Sequence, residues 1–129
     1  MVFNRRQQEL EQKEARAEQR ERETAAPRLQ TLVPKLRSLR MNFEDCRAEG
    51  RSTMLPYTKY VVVATGPALF SIRCVEPRCN GRHELTEAIL RGLRAHQTKI
   101  TGESVCDGSV GDAGCDRTLR YICEAEYDA

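Results

Sequence analysis

Four cysteines between residues 74 and 115 constrain this chain more than any other feature, because they fall in two short brackets with one helix-forming segment between them. The first bracket is CVEPRCNG, Cys74 to Gly81, and the second is CDGSVGDAGC, Cys106 to Cys115. Between them, HELTEAILRGLRAH carries Leu85, Ile89, Leu90 and Leu93 on one side, which predicts a core helix from about Glu84. A structural zinc ion takes four ligands in a tetrahedron, usually as two pairs on tight turns that aim both sulfurs at one point. Both brackets supply turns. Pro77 stiffens the first, and Asn80-Gly81 can adopt the positive φ that folds backbone amides toward sulfur. Gly108, Gly111 and Gly114 give the second a longer return. The expectation is one structural zinc ion per chain, held by Cys74, Cys79, Cys106 and Cys115.

The spacings leave other chemistries open. Four residues separate the first pair and eight the second, both wider than the two-residue bracket of common zinc modules. His83, four residues after Cys79, is an alternative ligand. Disulfides would follow from an oxidising location, and unligated buried thiols are a further possibility. Redox switching would draw on Cys79, whose neighbours Arg78 and Arg82 favour a thiolate, although the two-residue dithiol spacing is missing. Cys123 sits on the apolar face of a closing strand and reads as an inert buried thiol.

Location decides between some of these. The start, MVFNRRQQELEQ, has no apolar signal core, and no later run approaches the roughly 18 apolar residues of a membrane span. The expectation is a cytoplasmic protein without membrane contact, and in a reducing cytoplasm clustered cysteines more often mean metal. Net charge is +2, and four thiolates with one divalent ion would bring it to zero, so overall charge does not argue for nucleic acid.

Along the chain, residues 5–24 are mostly Glu, Gln, Arg, Lys and Ala, with no Gly or Pro, which predicts a long exposed helix. Glu9–Lys13 and Glu18–Arg22 are favourable i,i+4 pairs, whereas Glu14–Glu18 and Arg16–Arg20 repel. One seven-residue seam runs Phe3, Leu10, Ala17, Thr24, but the second seam of a coiled coil is charged at Arg6 and Lys13. Pro27 ends this region, so the chain divides into a charged helical extension, 1–26, and a small zinc-stabilised domain, 27–129. Leu29, Leu32, Val33, Leu36 and Leu39 recur at helical spacing, predicting a short helix broken at Pro34. Leu39, Met41 and Phe43 then alternate as in a strand, and 47–53 reads as a loop. TKYVVVATG and PALFSIRC read as a hairpin turning at Gly66-Pro67, with the apolar run at Tyr60 covered on both sides. Gly92 inside the core helix suggests a close neighbouring backbone. A strand from Leu119 to Tyr127 closes the domain. The expected class is α+β: a small mixed or antiparallel sheet with one core helix.

The order strand, bracket, helix, bracket, strand over Phe70 to Tyr127 resembles zinc-ribbon and treble-clef modules, the likeness resting on the four bracket cysteines. It departs from them in both spacings and in having a helix where a simple ribbon has strands. No catalytic constellation accompanies the cysteines: His83 lacks the second histidine of a metalloprotease helix, and no His-x-Glu precedes a Pro-Cys bracket. A closed four-thiolate site offers no open position for substrate. The functions that fit are three. The first is a non-catalytic protein-interaction or adaptor module, with the N-terminal helix as a second contact or homo-oligomerisation arm. The second is a nucleic-acid or ribosome-associated protein using Arg28, Lys35, Arg37 and Arg40 with Arg73, Arg78, Arg82, Arg91 and Arg94. The third is a thiol redox sensor. Uneven charge favours keeping the second: 73–99 carries six basic against three acidic residues, 102–129 two against seven.

Overall fold

The computed structural model describes residues 5–46, 57–74, 79, 81–110, 113–115 and 117–129. It is α+β. The N-terminal helix α1 (Arg5–Ala25) matches its sequence expectation and stops just ahead of Pro27. Arg5 pairs with Glu9, and Gln7 and Gln19 bond Glu11 and Glu23 at the same i,i+4 spacing. Glu18 and Arg22, expected to pair with each other, instead both reach the body of the domain.

Between α1 and residue 46, only Leu29–Leu32 (α2) is helical, and the chain is extended from Leu36 to Cys46 (β1). The predicted helix over 28–39 is therefore wrong beyond Leu32. Pro34 stops it, and a register irregularity between Leu36 and Ser38 explains the misleading pattern. An irregularity of this kind interrupts strict alternation, so Leu36 and Leu39 both face inward at a spacing that imitates a helix.

The main sheet has four antiparallel strands in the order β2 (Tyr57–Val61), β1, β8 (Thr118–Tyr127), β5 (Lys99–Val105). β1 and β8 share a ten-pair register from Leu36↔Tyr127 to Cys46↔Thr118 and form its centre. Leu39, Met41, Phe43, Leu119, Tyr121, Cys123 and Ala125 point to one face, where Ile89 and Leu93 of α3 (Thr86–Arg94) are fully buried with Leu29, Val33 and Phe70. Each Leu, Ile, Val, Met or Phe among them contributes about 1.5–3 kcal/mol through removal from water. The other face carries cross-strand ion pairs: Arg40–Glu124, Arg37–Glu126 and Arg120–Glu103. Cys123 is wholly buried between Met41 and Ile100, as expected of an inert thiol.

The expected 58–74 hairpin does not form. β2 is an edge strand with exposed side chains, and β3 (Ser71–Arg73) belongs to a separate two-stranded sheet with β4 (Arg82–Glu84). Between them Gly66 accepts a bond from the Leu29 amide, Ala68 donates to Pro27, and Pro67 bridges Arg28. The segment pairs with the stretch after α1 and lays Val63, Ala68 and Phe70 into the core instead of turning back on itself. Tyr60 is 73% exposed, so the run around it is not covered on both sides. Gly92 does have a close neighbour, but it is the Ile100 side chain and not backbone. The predicted 47–53 loop lies outside the described residues.

Candidate metal centre

The two brackets are two hairpin mouths. β3 and β4 pair as Ser71↔Glu84, Ile72↔His83 and Arg73↔Arg82, and the Cys74 amide extends the ladder by donating to Gly81 (3.1 Å). The second bracket leaves the end of β5, where the Cys106 amide donates to Arg117 (2.9 Å). It folds through the short pair β6 (Ser109–Val110) and β7 (Ala113–Gly114), and the Cys115 amide donates to Gly108 (3.0 Å). Hairpin closure explains the wide spacings: the strands, not a tight two-residue turn, bring each pair of cysteines together.

The four thiol sulfurs of Cys74, Cys79, Cys106 and Cys115 lie within 4.8 Å of one another and could hold a metal ion. The short separations run across the brackets, Cys74 to Cys115 at 3.7 Å and Cys79 to Cys106 at 3.5 Å. Zinc–sulfur bonds of about 2.3 Å require a tetrahedral edge of about 3.8 Å, whereas a disulfide requires about 2.05 Å. These two separations are thus close to those of metal ligands, and none of the six cysteines is in a disulfide. Cys74, Cys79 and Cys106 are buried and Cys115 is partly so.

Among the described residues, two backbone amides are aimed at sulfur. Gly81 donates to Cys79 (3.3 Å) and Gly108 to Cys106 (3.4 Å), so each bracket repeats the same Cys-x-Gly device. The reason for glycine differs from the sequence expectation: Gly81 is not in the left-handed region. A Cβ on Gly81 would meet the Gly108 nitrogen at 2.5 Å and the Cys106 sulfur at 2.6 Å, and a Cβ on Gly108 would meet the Cys79 sulfur at 2.6 Å. The two glycines let the brackets close on each other. Asp107 adds a third tie by accepting from the Arg82 amide (2.9 Å). The repeated Cys-x-Gly was the signal in the sequence that could have found this pairing.

Electrostatics set the thiols apart. Burial pushes the Cys79 thiol up, but the Gly81 amide and the neighbouring sulfurs outweigh it and leave Cys79 below its ordinary value. Burial drives Cys106 up to about 11, the Gly108 amide opposing. Four thiolates this close cannot all ionise without a cation to offset their repulsion. The donor set therefore fits a soft or borderline divalent ion.

His83 does not join the cluster. It lies on β4, ahead of the helix rather than at its start, and is 1% exposed. Neither ring nitrogen has a partner of good hydrogen-bond geometry; burial lowers its pKa, opposed by the Ser104 backbone and by Asp45 and Asp107. Cys46 and Cys123 are likewise outside the cluster. Beside the brackets, Asp45 and Arg117 form a buried ion pair at 2.8 Å that the sequence reading missed. Of the basic side chains expected to line a phosphate stripe, Arg28 bonds the carbonyls of Glu23, Ala26 and Thr65. Arg37 and Arg40 pair across the sheet, Arg82 reaches Glu18 and Gln19, and Arg91 pairs with Glu87. No helix among the described residues is long and apolar enough to cross a membrane. No family model matches the chain, and no curated protein or solved structure matches it.

Proposed function

We propose that this chain is a non-catalytic interaction module whose four-cysteine centre binds one structural zinc ion. Zinc suits four thiolates in a closed tetrahedron, carries no redox chemistry of its own, and in such sites contributes folding energy. The β3–β4 pair has three residues per strand, too little to be stable alone, so a metal cross-link to the second bracket gives the domain what its own ladder lacks. All four positions are taken by protein sulfur, which leaves none for a substrate.

One observation carries the interaction role: α1 runs 21 residues, about 31 Å, without burying a single side chain. A helix that buries none of its side chains fully, with only Gln8, Ala15, Gln19, Arg22 and Glu23 partly covered, is marginal by itself and is suited to burying its surface against a partner. Leu10, 55% exposed, lies on this free surface. A nucleic-acid role is the weaker reading because most of its candidate arginines already have acidic or carbonyl partners within the chain.

The test is photo-cross-linking from the full chain with a benzophenone side chain at Leu10, against a control at Arg94 on α3. A discrete protein adduct specific to position 10 is the expected result. Adducts to RNA or DNA, or identical adducts from both positions, would refute the interaction reading.

A further inference from the structure

Among the described residues, the polar side contacts between α1 and the sheet-forming part of the chain converge on the metal hairpin. Arg22 donates to Ser71 (3.2 Å) at the start of β3 and to Glu84 (3.1 Å) at the end of β4. Arg82, in the middle of the pair's metal end, donates to Gln19 (2.6 Å) and lies 3.9 Å from Glu18. The same Arg82 gives its backbone amide to Asp107, the residue between Cys106 and Gly108. These contacts are polar throughout, and no residue of α1 is buried. Among the described residues, the helix is tied at its C-terminal end through Arg28 and along its side through Ser71, Arg82 and Glu84 of the β3–β4 hairpin.

From this geometry we propose that the metal centre acts as a switch whose output is α1. With the ion bound, the two brackets lock, Arg82 is fixed between Asp107 and α1, and the helix is docked and ordered. Without it, the three-residue strands of the hairpin lose their cross-link, Ser71, Arg82 and Glu84 lose their common placement, and α1 loses these side contacts, undocks and frays. The proposal rests on the metal reading above and adds regulation to it: a partner of α1 meets an ordered helix only while the centre is loaded. Linkage makes the coupling reciprocal, so removing the docking contacts must weaken zinc binding by the same factor by which zinc strengthens docking.

Hydrogen exchange on the full chain under reducing conditions tests this, with zinc content measured on every sample. Zinc-loaded protein is compared with protein treated with a chelator and with the zinc-loaded double variant Arg22→Ala, Arg82→Ala. Peptides from β1 and β8 report global folding. The expected result is exchange in 5–25 faster by roughly tenfold in both the chelated protein and the double variant, as loss of several exposed polar contacts implies. The double variant should keep one zinc per chain, bound more weakly, with β1 and β8 unchanged. Unchanged protection of 5–25 in the double variant overturns the switch, as does zinc loss that leaves 5–25 protected. If chelation also unmasks β1 and β8, the double variant decides between the outcomes. A chain that takes up no zinc overturns the metal reading and the switch together, while zinc uptake with an indifferent α1 overturns the switch alone.

Discussion

Gly81→Ala is the smallest change that reaches the metal centre, and its cost follows from distances. A methyl group there would stand 2.5 Å from the Gly108 nitrogen, 2.6 Å from the Cys106 sulfur and 2.7 Å from the Gly108 Cα. Ordinary contact begins near 3.4 Å, so the two brackets must separate by roughly 1 Å, several times the ~0.2 Å that metal–ligand distances tolerate. Two of the three atoms are backbone and cannot rotate away. Overpacking of this kind costs about 1–3 kcal/mol, a loss of zinc affinity of roughly 5- to 150-fold. Gly108→Ala should behave alike, since its Cβ would meet the Cys79 sulfur and the Gly81 nitrogen, both at 2.6 Å. Gly114→Ala is the control: nothing lies within 4 Å, and the change should stay within about 0.5 kcal/mol. Competition for zinc against a chromophoric chelator measures all three. Because the first two substitutions open the same gap, the double variant should cost less than their sum. Wild-type affinity in Gly81→Ala and Gly108→Ala, or equal damage from Gly114→Ala, would refute the close-approach argument.

Other parts of the molecule give independent tests. Asp45→Ala removes a carboxylate that the Arg117 guanidinium, 10% exposed, holds at 2.8 Å and should lose about 1.5–3 kcal/mol in denaturant melts, whereas Asp45→Leu with Arg117→Met should recover most of that; a loss under about 0.5 kcal/mol in the single variant would contradict the buried pair. Zinc affinity should fall with falling pH: Cys106, pushed up to about 11, is protonated near neutrality in the metal-free chain, so zinc must displace its proton and acid restores it. Between pH 8 and 6 the affinity should drop by at least about tenfold per unit, and a flat profile would refute thiolate ligation. Burial also drives Cys123 up to about 11, leaving roughly one part in ten thousand ionised at pH 7, so native protein should not be alkylated there until it unfolds; prompt labelling would disprove its core position.

Much of this was legible in the sequence where a single periodicity ruled. The uninterrupted helix formers gave α1, the alternation from Leu119 to Tyr127 gave β8, and the four bracket cysteines converge as their clustering suggested. The misreadings have physical sources. Between 28 and 39, an interrupted strand produced an i,i+3 apolar pattern, which periodicity cannot distinguish from a helix. Between 62 and 70, Gly-Pro suggested a turn, yet its carbonyl and neighbouring amides are used by residues 27 and 29, a pairing no local pattern encodes. β5 went unread because only Ile100 of its seven residues is buried and Gly102 interrupts it, the glycine being required by the Tyr121 ring lying over it. At the metal centre, residue identity revealed the sulfurs, but the contact of Gly81 with Gly108 is long-range and appears only once both hairpins are in place.

Metal analysis of protein purified under reducing conditions, repeated on six single Cys→Ser variants, tests the central claim most directly. One zinc per chain is the predicted result, lost on changing Cys74, Cys79, Cys106 or Cys115 and kept on changing Cys46 or Cys123. Folded protein that carries no metal, or zinc that survives loss of a bracket cysteine while Cys46→Ser or Cys123→Ser removes it, would contradict the account.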